Sequence, residues 1–194
     1  SVEKGKAEIQ PNAGTFKRTR DDEKDAAAAT ALAKDPKENS EHVMLVDLAR
    51  NDLSRNGSEV VVEKNREIQF YSHVIHLVSK VSCAMKKGAK TFRVVADTFP
   101  AGTLSGAPKH KALQLIDRYE TTQRTVYGGA IGYMDFHGNF NHAIIIRSFL
   151  SKNQTLHYQA GAGIVADSVP ESELQEVYNK LGALDKALTL AEEL

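Results

Sequence analysis

The sequence lacks the material for several classes of function. It holds one cysteine, Cys83. A lone thiol builds neither an intramolecular disulfide framework nor a Cys-based zinc cluster, and it suits a reducing compartment. Charge of one sign is also missing, since 25 Lys and Arg balance 25 Asp and Glu. Without a basic excess there is no general face for a phosphate backbone, so nucleic acid is not an expected partner. No apolar run approaches the roughly 18 residues that a spanning helix needs, so no membrane is expected. The chain opens on Ser1 with no Met and no charged-then-apolar leader. The expectations are no signal peptide, a cytoplasmic location, and a fragment or processed chain. What is present is 41% hydrophobic residues over 194 positions, a globular composition of one or two domains.

The first 40 residues are polar and poorly patterned. Within them, Asp21 to Asp25 leads into an alanine run, which reads as an acidic helix start followed by strong helix formers. Asp35 is a candidate N-cap with Pro36 in the first turn of a helix over 37–55. Within that helix, the run Val43 to Val46 also fits a short buried strand. Asn56-Gly57 is a turn, and 59–62 is a strand. From Phe70 to Met85 the chain alternates with apolar residues on both faces, which predicts a buried strand. Helices are expected over 91–99 and 108–119, the latter with Ala112, Leu115, Ile116 and Tyr119 on one stripe. Residues 127–163 read as an antiparallel meander with strands at 127–136, 143–150 and 155–159. A last helix starts at Pro170. The fold class is α+β, with antiparallel sheets packed against helices.

Two Glu-x-x-Glu pairs, Glu38/Glu41 and Glu173/Glu176, each place two carboxylates on one helix face. Such pairs suit Mg²⁺, which takes one or two carboxylates and leaves room for substrate oxygens; each is equally an ordinary solvated helix face. Gly161-Ala162-Gly163 after a strand is either a plain turn or a place where backbone amides approach an anion. Arg147, ending an apolar run, pairs with a substrate carboxylate or with a structural acid. His76 inside an apolar strand is a hydrogen-bonded core residue or a proton-transfer group. Residues 102–109 form either a helix connection, with Ser105 capping the second helix, or a rigid loop presenting Thr103.

Taken together, these segments resemble the chorismate-utilising enzymes, most closely the large component of the anthranilate synthases. The resemblance runs through Pro11-Asn12-Ala13-Gly14-Thr15 and from Glu38 through Glu41-His42 to Asp47 and Arg50-Asn51-Asp52-Leu53. It continues through Tyr71 to Ser79, Phe99-Pro100-Ala101-Gly102-Thr103-Leu104-Ser105-Gly106, Tyr127 to Tyr133, Ile146-Arg147, Gln159 to Gly163 and Asn179-Lys180. These come in the family's order and correspond to the C-terminal portion of longer proteins, whose N-terminal half, with its tryptophan site, is not in this chain. The resemblance implies chorismate as substrate, ammonia from a glutamine amidotransferase partner, and Mg²⁺ as cofactor. It implies Glu41 and Glu176 as metal ligands with Glu38 and Glu173 behind them. Tyr127 and Arg147 would hold the enolpyruvyl carboxylate, Gly161, Ala162 and Gly163 would donate amides to a carboxylate, and Gly14, Thr15 and Lys180 would add contacts. His76 would act near the departing hydroxyl, and Thr103 marks the ammonia-using branch rather than the isochorismate and salicylate branch. Ala13 stands where aminodeoxychorismate synthases often carry a lysine nucleophile, so it favours anthranilate formation over that alternative. Asn12 departs from the family's usual isoleucine. The 194 residues alone are expected to be inactive, either as a folded fragment or as one that only binds metal or ligand.

Overall fold

The computed structural model describes every residue except His73, Asp167 and Leu194. It forms two compact units, one of Ser1–Asp117 with Tyr133–Asn141 and one of Arg118–Gly132 with His142–Leu194. In the first unit, strands β1 (Val2–Glu3), β2 (Lys6–Ile9) and β3 (Asn12–Lys17) precede helices α1 (Asp22–Lys34) and α2 (Pro36–Ser54). Then follow β4 (Gly57–Phe70), β5 (Val74–Met85), α3 (Thr91–Thr98), α4 (Gly102–Ser105) and α5 (Lys109–Tyr119). Strands β6 (Ala130–Met134) and β7 (Phe140–Ile144), which come next, have residues in both units. The second unit contains β8 (Leu150–Lys152), β9 (Thr155–His157) and α6 (Pro170–Glu192). The sheets are antiparallel and helices pack on them, as the α+β reading expects.

β5 is the organising strand. β4 pairs along one edge, while β2 and β3 lie end to end along the other. Its odd-numbered residues face the helices, as the period of two requires. Val81 and Cys83 pack with Val46, Ala49 and Leu53 of α2, Ala7 of β2 and Val94 of α3. Ile75 and Leu77 pack with Leu32 of α1. Local chemistry sets the helices that supply these faces. Asp21 caps α1 by accepting from the Lys24 amide at 3.2 Å, and Asp35 caps α2 by accepting from the Glu38 amide at 3.0 Å. Pro36 occupies the first turn of α2, where its missing N–H leaves nothing unpaired. The run Val43 to Val46 is helical. A Cβ on Gly57 would stand 2.1 Å from Cys83 Sγ and 2.9 Å from the Leu53 carbonyl, so only glycine lets β4 begin this close to α2.

β4 is much longer than the strand expected at 59–62, and it takes Phe70 from the strand expected to start there. It keeps register with β5 through bulges, with Glu59 at φ 52° and Arg66 at φ 54°. Arg66 turns its N–H out of the ladder to donate to Ser79 Oγ at 2.9 Å, and Ser79 Oγ also meets the buried His42 Nε2 at 2.6 Å. The opposite face of β5 is ionic. Lys80 bridges Glu8 at 2.8 Å and Glu63 at 3.2 Å, Ser82 Oγ donates to Glu63 at 2.6 Å, and Lys6 pairs with Glu63 as well. The hydrogen bonds from Lys6 and Ser82 pull the Glu63 carboxyl down to about 2. Lys109, at the start of α5, reaches the buried Asp52 of α2 at 2.7 Å and the Thr98 carbonyl at 3.0 Å.

Other sequence expectations are corrected. The poorly patterned N-terminus contributes three strands, pinned by the buried Val2, Ala7 and Pro11. The 102–105 stretch is a short helix, and Ser105 Oγ donates to the Ala101 carbonyl at 3.1 Å within it rather than capping α5. The apolar stripe of α5 has no buried residue. The meander is broken: β7 stops at Ile144, Arg147 has φ 49°, and β8 with β9 forms a separate two-stranded sheet. A left-handed residue interrupts the regular pleat, as Glu59 and Arg66 do at the bulges of β4. In the second unit, Tyr158 stacks edge-on against Phe149 at 5.3 Å and donates to Asp185 of α6 at 2.7 Å.

Two outcomes follow from this packing. Gly57→Ala overpacks the Cys83 contact and lowers stability by about 1–3 kcal/mol or more, read as a lower urea midpoint; an unchanged midpoint would show the contact to be loose. The depressed Glu63 carboxyl adds stability that is complete above pH 4.5 and is lost as pH falls towards about 2. Across that window Glu63→Gln should lose less stability than the parent, and parallel acid curves would dismiss the ionic cluster as the cause.

Candidate functional site

The first unit brings Gly14 and Thr15 to His76, and Glu38 to Gly14. A register shift in β3 falls between Ala13 and Thr15, and Gly14 sits there at φ 68°. A Cβ on Gly14 would stand 2.6 Å from Leu32 Cδ1 and 3.2 Å from Glu38 Oε2, so the strand passes against the first turn of α2 without room for a side chain. The shift turns the Gly14 carbonyl onto His76 Nδ1 at 2.6 Å, with Thr15 Oγ1 3.3 Å from the same nitrogen. A carbonyl only accepts, so Nδ1 carries the hydrogen and Nε2 bears the lone pair of the neutral ring. The Tyr71 ring packs edge-on against the imidazole, centroids 5.5 Å apart. Glu41 lies one turn beyond Glu38 on α2, its Oε1 3.8 Å from Lys37 Nζ. Thr103 is exposed on α4 and, among the described residues, takes no part in the hydrogen bonds around His76. α4 itself is fitted closely to α2, since a Cβ on Gly102 would meet Leu48 Cδ2 at 2.4 Å.

The second unit gathers Tyr127, Arg147, Gly161, Glu176 and Lys180. Burial pushes the Tyr127 hydroxyl up, opposed by the positive Arg124, the Gly161 amide and Arg147. Gly161 lies against the tyrosine oxygen, which a Cβ there would meet at 3.4 Å, and the Gly161 carbonyl accepts from Lys180 Nζ at 2.9 Å. Lys180 also pairs with Glu176 at 2.6 Å, one turn earlier on α6. Arg124 lies 5.6 Å over the Tyr127 ring and is held by Glu120. Glu173, in the first turn of α6, is buried. Ala162 and Gly163 lie in the irregular stretch before that helix. A phenol and an ammonium drawn to one stretch of backbone, with the positive Arg124 and Arg147 acting on the phenol, suit a carboxylate.

The metal question turns on the donor set. Among the described residues no group of three or more His, Cys, Asp or Glu side chains gathers as a metal cage. Mg²⁺ does not require one, because it is typically held by one or two carboxylates together with waters and substrate oxygens. The Glu38/Glu41 and Glu173/Glu176 pairs supply hard oxygen donors of that kind, so the residues present fit the ion.

Sequence reasoning passed over the supports of both clusters. Asp25 was one of several acids at a helix start and Arg18 one of several bases, and nothing in their spacing shows that they meet. The Glu120 and Arg124 pair beneath Tyr127 lies past the end of α5, where no helical spacing marks it.

A family profile described as chorismate binding enzyme matches residues 1–186. The chain belongs to that family. It is 48% identical over 194 residues to anthranilate synthase component 1 of Aquifex aeolicus, covering 99% of this chain and 39% of that protein. The identity to the Bacillus subtilis anthranilate synthase component 1 is also 48%, over 100% of this chain and 38% of that protein. The crystal structure of anthranilate synthase component I from Streptococcus pneumoniae superposes with a TM-score of 0.83 at 42% identity, over 92% of this chain and 40% of that one. The menaquinone-specific isochorismate synthase of Escherichia coli superposes with a TM-score of 0.84 at 25% identity, over 93% of this chain and 42% of that one. The chain therefore spans about two fifths of the length of these relatives.

The close fit at Gly14 carries its own test. Gly14→Ala combines a strained φ with overlap against Leu32 and Glu38, and should cost roughly 1–3 kcal/mol in urea unfolding. A stability equal to the parent's would mean that the corner between β3 and α2 opens freely.

Proposed function

We propose that this chain carries the chorismate site of an anthranilate synthase large component, forming anthranilate and pyruvate from chorismate and ammonia. The observation that carries the reading is the end-to-end identity of about half with anthranilate synthase components 1. The similar superposition on an isochorismate synthase shows that the backbone is shared by both chemistries. Thr103 and Ala13 therefore bear the choice between branches. The ammonia comes from a glutamine amidotransferase partner, and the product feeds tryptophan synthesis.

In this reading Tyr127 and Arg147 receive the enolpyruvyl carboxylate, assisted by the 161–163 backbone and by Lys180, whose ammonium the Glu176 carboxylate and the Gly161 carbonyl hold in place. Glu41 and Glu176 would hold Mg²⁺, with Glu38 and Glu173 behind them, and the ion would supply charge neutralisation to a substrate carboxylate. Gly14 and Thr15 border the ring beside His76. Ammonia adds at ring C2 and the C4 hydroxyl leaves as water; loss of pyruvate then makes the ring aromatic. The Gly14 carbonyl keeps the Nδ1 hydrogen of His76 in place, so Nε2 is the atom that first takes up a proton and then gives it to the departing hydroxyl.

The test is an ammonia-dependent fluorescence assay for anthranilate on the full-length protein that carries this chain. Glu41→Gln should abolish Mg²⁺-dependent turnover, and near-normal turnover at low Mg²⁺ would remove Glu41 from the metal site. Formation of 4-aminobenzoate once a lyase is added, instead of anthranilate, would transfer the chain to the aminodeoxychorismate synthases.

A further inference from the structure

Asp25 belongs to none of the groups assigned above, yet it is buried. It lies in the first turn of α1, and its carboxylate turns back onto the chain that has just left β3. Oδ1 accepts from the Thr19 amide at 2.7 Å and the Thr19 hydroxyl at 2.8 Å, and Oδ2 accepts from Arg18 Nε at 3.2 Å and the Arg20 amide at 3.3 Å. These donors, the Thr19 amide foremost, hold the carboxyl below its ordinary range. A buried carboxylate with this many donors is expensive to disturb, because each donor would be left without its acceptor.

Arg18 passes the constraint onward. Its Nη1 donates to the Tyr71 carbonyl at 2.9 Å, and its guanidinium stands 5.8 Å over the Phe70 ring. Tyr71 is in turn fixed by its amide on the Val74 carbonyl at 2.8 Å, and its ring is the edge-on neighbour of His76. Gly14 and Thr15 also touch that imidazole, and their strand runs directly into the segment that Asp25 grips. Two sets of contacts to His76 therefore lead back to one carboxylate.

We propose that Asp25, acting through Arg18 and Tyr71, is a positioning residue that sets the orientation of the His76 imidazole. The proposal rests on the reading of His76 as the group beside the departing hydroxyl. Asp25→Asn keeps the side-chain volume and one acceptor oxygen, and Arg18→Gln cuts the link to Tyr71 while leaving the bonds of Asp25 to residues 19 and 20. In the full-length protein each should lower kcat on the order of tenfold to a hundredfold, with the KM for chorismate moving less than about twofold. In a His76→Ala background neither should lower kcat further. Side-chain ¹⁵N NMR should show the His76 Nδ1–H resonance shifted in both variants, with the buried His42 unmoved. The proposal is overturned if both variants leave kcat and the His76 resonance in place, or if the same loss appears in the His76→Ala background, which would mark general damage to the fold. If His76→Ala keeps full activity, the catalytic reading of His76 fails on its own. The His76 resonance then decides the positioning: a shift upholds it and an unmoved signal overturns it.

Discussion

The backbone of β5 is hydrogen-bonded along both edges, and this constraint fixes most of the first unit. With both edges occupied the strand cannot slip by one residue, because a slip would carry Val81 and Cys83 to the ionic face and Lys80 and Ser82 under the helices. The strand separates two environments. Towards α1 and α2 it presents an apolar core, interrupted by Ser79 where Arg66 and His42 meet. On the other face it presents the paired charges of Lys80 and the hydroxyl of Ser82. His76 belongs to this second set by parity, which is why a histidine within an apolar run is only half-buried.

The helices were legible because their ends are written in short-range chemistry. Asp21, Asp35 and Pro36 mark caps and first turns that depend on three or four neighbouring residues. β5 was legible from its period of two, although one of the two faces read as apolar carries Lys80 and Ser82 in the ionic cluster. The first three strands were not. They run from two to six residues and are held by partners far along the chain, such as Cys83 opposite Ala7. The full length of β4 was hidden for a related reason. Its exposed residues carry no apolar alternation, and its bulges break whatever period remains.

The site was readable to a different depth in its different parts. The residues that would touch substrate or metal announce themselves by type: paired glutamates, an arginine at the end of an apolar run, glycines after a strand. The geometry that orients them does not. The left-handed turn at Gly14, which delivers its carbonyl to His76, depends on how closely β3 approaches Leu32 and Glu38. The bond from Lys180 Nζ to the Gly161 carbonyl likewise gives that backbone a partner inside the protein, where the sequence offered a plain turn or an approach to an external anion. Ligand types follow from composition, whereas tautomers and orientations follow from contacts between distant segments.

Cys83 gives the molecule a built-in reporter. Its thiol is sealed between Gly57 and α2, and burial pushes it towards the protonated, unreactive form. A thiol-specific reagent reaches it only in molecules where α2 has lifted from the sheet. The labelling rate at this single sulfur therefore counts openings of the layer that underlies the first half of the site, with no engineered probe and no need to unfold the rest of the chain.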